Sequence, residues 1–201
     1  MPVSINGNTG VITGVAVGGL PDGIVDADML AANAVTSGKL ASGVGGKILQ
    51  VLQTVKTDVF STTSNSYVLV TGLTQAITAA STSNKILINV TLYGGVSSGN
   101  YVAGFKLAKD STAMDGNTIG AASGNNAESG TFRFRNATDT HAEEASFMFL
   151  DTPADTNSHT YGILMKVFSS ATARLGTTGT NGNYDQHMRC PCTITVMEVS
   201  A

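Results

Sequence analysis

The chain has 201 residues, 42% of them hydrophobic, and a formal net charge of −3, a size that suits one domain of roughly 150 residues plus a shorter segment. Charged residues make up 12% and no basic cluster exceeds Arg133 with Arg135, so the electrostatic footprint of a nucleic-acid binder is missing. The chain opens without a cationic or apolar leader and has no apolar run near about 18 residues, which argues against a signal peptide and against membrane insertion.

Residues 1–46 contain no aromatic side chain, since all 12 aromatics follow position 59. Within this segment a short unit is written twice, ten residues apart: Val25 matches Val35, Leu30 matches Leu40 and Ala31 matches Ala41. Each unit offers two or three apolar contacts. A buried Val or Leu returns about 1.5 to 3 kcal/mol, whereas ordering each residue costs about 1 to 2 kcal/mol, so units this small do not fold alone. They need identical chains or a larger assembly to stack on. The segment is therefore expected to be an extended attachment arm, with Val25, Leu30, Val35 and Leu40 as its contact residues. Gly43-Val44-Gly45-Gly46 marks its end.

From Lys47 onward apolar residues recur with period two. Leu49, Val51 and Val55 share one face, away from Gln50 and Lys56. The clearest strand runs from Lys85 to Tyr93, where Ile86, Ile88, Val90 and Leu92 form a dry face. Similar patterns cover 67–71, 101–108, 131–135, 146–150, 160–169 and 188–199, separated by turn material such as Ser83-Asn84 and Asp155-Thr156-Asn157. Gly, Ser, Thr and Asn fill 81 positions, a composition poor in helix formers and rich in residues that turn or sit in strands. About eight strands joined by polar turns predict an all-β fold, an antiparallel β-sandwich or jelly roll over 47–201, preceded by the arm.

Two connections are too long and too glycine-rich for simple hairpins, 110–130 and 176–186. Long loops on a rigid sheet scaffold are where binding concentrates. In the second, Asn183, Tyr184 and Asp185 combine a ring that stacks on a sugar with an amide and a carboxylate that bond its hydroxyls. They are the candidate receptor contacts. Catalytic candidates are weak: His141, His159 and His187 are scattered without metal spacing, and no Gly-x-Ser-x-Gly elbow occurs. His141 with Glu143 and Glu144 reads as a turn before a strand, and Asp151 with Asp155 as a turn lacking calcium-loop spacing. Four Glu and ten Asp, mostly in turn-like contexts, give little support to a glycan hydrolase. No catalytic residue, metal or cofactor is expected. Cys190 and Cys192 flank Pro191; at i and i+2 of a strand both sulfurs face one side, so both read as buried free thiols, and Pro191 places that strand at an edge or a bulge.

The opening Ile5-Asn6-Gly7-Asn8-Thr9-Gly10-Val11-Ile12-Thr13-Gly14, the two repeat units, the Gly46–Thr57 stretch and the ending Thr193-Ile194-Thr195-Val196-Met197-Glu198-Val199 resemble tail-fibre and related fibre proteins of tailed phages, particularly those of marine bacteria. The resemblance implies a non-enzymatic virion component, a homotrimer whose arm docks onto other virion proteins of tail or capsid while the β domain faces outward; binding of host surface glycan is the expectation that the loop residues, not the resemblance, add. Its alternative is a capsid decoration or cement protein with no receptor. This chain has two repeat units and no extended shaft.

Overall fold

A computed structural model describes residues 4–6, 11–13, 30, 34–36, 39, 47–98, 101–116, 118–121, 130–135, 138–185 and 187–201. The chain divides into two units, Met1–Gly46 and Lys47–Ala201. In the first, β1 (Ser4–Asn6) and β2 (Val11–Thr13) pair antiparallel with Ile5 opposite Ile12.

Among the described residues the second unit holds eleven strands: β3 (Ile48–Lys56), β4 (Phe60–Thr62), β5 (Val68–Thr78), β6 (Lys85–Val96), β7 (Ala103–Lys109), β8 (Thr112–Ala113), β9 (Phe132–Phe134), β10 (Glu143–Asp151), β11 (Ser158–Val167), β12 (Ala173–Leu175) and β13 (Cys192–Val199). They form two antiparallel sheets. In the first, β6 is central: β10 pairs along one side, and on the other β13 covers Lys85–Thr91 while β12 covers Gly94–Val96. Outside these lie β3 on β13 and β4 on β12. The second sheet runs β5, β11, β7, with β8 and β9 both on the far side of β7. Counting collinear fragments together gives eight strand positions, four per sheet. The connections β4 to β5, β5 to β6, β6 to β7, β9 to β10, β10 to β11 and β11 to β12 each pass from one sheet to the other, which is the jelly-roll arrangement.

Alternation makes the core. Ile86, Ile88, Val90 and Leu92 of β6 and Ile194 and Val196 of β13 face Phe105 and Leu107 of β7 and Ile163 and Met165 of β11, all fully buried. Phe105 stacks on Phe132 at 5.0 Å between centroids and meets Phe134 edge-on at 4.8 Å. Between Gly162 opposite Thr74 and Leu164 opposite Leu69 the register of β5 shifts, and Gly72 (φ +77°) supplies the left-handed backbone for the bulge.

Several expectations change. The apolar set Leu49, Val51 and Val55 is exposed, and the least exposed positions of β3 are Gln50, Thr54 and Lys56. Gln50 donates to the Thr78 carbonyl and to Glu198, and Thr54 donates to the Thr74 carbonyl. Alternation tells which residues share a face, not which face is covered. β13 is an interior strand between β3 and β6. Pro191 is compatible with it because the strand starts one residue later, where no ladder N–H is lost. Cys192 is buried as expected, but Cys190 lies ahead of the strand and is half-buried; both thiols are free.

Candidate functional site

The connection from β12 to β13 is rooted in backbone. Gly176 (φ +80°) turns the chain out of β12 and donates to the Tyr93 carbonyl at 2.8 Å. Farther on, Gly179 donates to the His141 carbonyl at 3.3 Å, and Thr180 donates to the Asp139 carbonyl through N–H at 2.8 Å and Oγ1 at 2.9 Å. The Arg174 guanidinium donates to the Gly179 carbonyl. Thr177, Thr178 and Gly179 are buried, and a Cβ at Gly179 would run into the Val96 and Asp139 carbonyls. The root is thus locked onto the end of β6 and the 138–141 turn.

The tip is presented, not packed. Gly182 N–H donates to His187 Nδ1 at 2.9 Å, His187 N–H donates to the Tyr184 carbonyl at 2.9 Å, and the two rings meet edge-on at 5.4 Å. This tight loop holds Tyr184 outward, 71% exposed, with Asn183 and Asp185 exposed on either side. All three predicted contact residues therefore share one tip. Met188, 64% exposed, joins them and was missed because its apolar side chain extended the β13 pattern backward; Pro191 was the available signal that the strand begins later. Thr177 Oγ1, Thr178 Oγ1 and His187 Nε2 are buried without a partner among the described residues.

The loop lies at one end of the body. Glu143 opposes Gly94 there, whereas Asp151 opposes Ile86 at the other end, and the stretch of β6 from Ile86 to Gly94 spans roughly 26 Å at about 3.3 Å per residue. Lys47 sits at the second end: its carbonyl accepts from Ser200 N–H at 2.7 Å, and Ile48 and Lys85 both oppose Val199.

That second end also holds a polar cluster the sequence reading did not assemble. His159 bonds Asp110 Oδ2 through Nδ1 at 2.7 Å and Asp155 Oδ1 through Nε2 at 3.0 Å. The Asp110 bond, opposed by burial and aided by Asp155, holds the imidazole above its ordinary 6.5. Beside it, Asp151 accepts from Tyr161 Oη at 2.6 Å and Lys109 Nζ at 3.0 Å; burial, then the Asp151 carboxylate, drives the Tyr161 hydroxyl far up. With both ring nitrogens occupied, His159 has no lone pair to offer a metal or a substrate proton. Asp151 and Asp155 are engaged by different partners, and among the described residues no three His, Cys, Asp or Glu are placed to hold a metal. His141 caps a turn, donating to the Thr138 carbonyl at 3.2 Å, and Glu143 opens β10. Of the arm residues, Leu30 and Val35 are exposed within the single chain; Val25 and Leu40 lie outside the described residues.

No family model and no curated protein matches the chain. Eleven chains among solved structures do. One of them, described as the structure of infectious bursal disease virus Gx strain, is 18% identical over 76% of this chain with a TM-score of 0.38. The match spans 37% of that longer chain, and similarity at this level assigns neither fold nor function.

Proposed function

We propose that the protein is a structural, non-enzymatic virion component of a tailed phage: a short homotrimeric fibre or spike, anchored to other virion proteins by residues 1–46, whose β body reads a host surface glycan through the 176–191 loop. The observation that carries this reading is the polarity of the body. The chain enters it at Lys47, at one end, and the loop that bears the exposed Tyr184 and Met188 is rooted at the other. The likeness of the N-terminal units to fibre proteins supports the anchor, and so does the exposure of Leu30 and Val35, which makes them available to stack on neighbours. The rooted loop supports recognition, because a ring held in place loses little freedom on binding. Single sugar contacts of this type are about millimolar, and three copies on one axis raise avidity by about 10² or more.

The test is adsorption. Virions carrying Tyr184→Ala and Met188→Ala, with the variant protein confirmed in the particle, should adsorb to host cells at least about tenfold more slowly. Unchanged adsorption would leave decoration of the capsid or tail as the function.

A further inference from the structure

We infer that the outward face of the β10-β6-β13-β3 sheet is the surface on which a second copy of this chain packs, an inference that deepens the trimer reading. The registers bring Leu150, Leu87, Met197 and Val51 side by side across all four strands. Val51, Met148 and Leu150 are 56%, 58% and 43% exposed. On this face Leu49, Val51 and Val55 of β3 and Met148 and Leu150 of β10 are large, apolar and exposed, whereas the second sheet carries no exposed large apolar side chain among the described residues. The two faces of the body are therefore finished differently, and solubility alone does not call for that asymmetry.

Composition and area indicate the occupant. Along the inward-outward alternation, this face carries charge only at Glu144 and Lys85, near opposite ends. The rest is apolar or uncharged, as in contacts between identical subunits, which are depleted in charge at their centre. Four strands about 4.8 Å apart and about nine residues long give a footprint of roughly 550 Å² before side-chain relief, close to the roughly 800 Å² per partner of a stable assembly. The edge strand adds to the case: from Ile48 to Val55, β3 has neither charge nor proline, the devices that normally keep a free edge unpaired. β3 is also the first strand of the second unit.

The test uses the full-length chain and light scattering for mass. Wild type should run as a trimer of 20.5 kDa chains, and Val51→Glu and Met148→Glu, each on an outward position that a monomer tolerates, should each yield monomers with the strand signal in circular dichroism intact. Thr71→Glu, on the exposed side of β5, should leave the mass unchanged. A trimer that survives both face substitutions overturns this inference and keeps the trimer reading. A wild-type dimer that both substitutions dissolve upholds the face and ends the trimer reading. A wild-type monomer at all concentrations ends both and hands the face to a different virion protein.

Discussion

Glu198 shows how individual residues close this sandwich. Its side chain is buried, and its carboxylate accepts from Asn84 Nδ2 and Ala80 N–H at 2.6 Å and from Gln50 Nε2 at 2.7 Å. Burial pushes its pKa up, but the bonds from Asn84, Gln50 and Ala80 outweigh that and hold it below the ordinary 4.5. One charge thereby ties β13 to β3 and to the β5–β6 turn. The His159 cluster ties the turn at Asp110 to the turn at Asp155 in a pH-dependent way. The Thr160 N–H, then His159, lowers Asp110; the Asn157 N–H, then His159 against burial, lowers Asp155. A raised histidine stabilises fully below its unfolded value, 6.5, and loses that contribution as pH climbs through its folded value; the lowered carboxylates stabilise above 3.8 and lose it as pH falls through theirs. The clamp is therefore strongest between those limits. From about pH 6 to about pH 8 the wild-type melting temperature should fall by about 1 to 3 °C more than that of His159→Gln, a small effect because the Asp110 and Asp155 side chains are 51% and 39% exposed to screening solvent. Equal slopes for the two proteins in differential scanning calorimetry would refute it.

Among the elements, β6 carries the most. It pairs with β10 on one side and with β13 and β12 in succession on the other, so any disturbance in it is felt by three neighbouring strands. Gly94 marks the tightest point: a Cβ there would meet the Arg174 carbonyl and the Leu175 backbone. Because those atoms are main chain, neither can rotate away, and the two strands would have to separate. Gly94→Ala should cost about 1 to 3 kcal/mol, or somewhat more, as overpacking does, read as a lower urea midpoint at unchanged slope. An unaltered midpoint would show that β12 yields without cost. The neighbouring Gly176 and the buried Thr177-Thr178-Gly179 run depend on the same junction, so the variant should also loosen the root of the Tyr184 loop, seen as faster amide exchange at Gly179 and Thr180.

At the scale of the molecule, residues 47–201 contain both sheets and the whole jelly-roll core. A chain beginning at Lys47 should keep its strand signal in circular dichroism and melt within a few degrees of full length, while failing to enter the particle under the proposed function. Loss of strand signal would mean that the first unit belongs to the core. Composition together with period-two patterning determined the all-β class, because a chain poor in helix formers and written with that period has few other ways to bury its apolar residues. Ile86 to Leu92 and Ile194 with Val196 announced their own burial by alternation. What alternation could not decide was the side on which a partner sheet lies: for β3 the apolar positions turned outward, since its inward positions bond to β5 and Glu198 instead. Nor could the sequence bring Asp110 to His159, 49 residues apart, or set Lys47 and Tyr184 at opposite ends. Those placements come from strand pairing over long separations, where local pattern carries no information about which strand a given edge will choose.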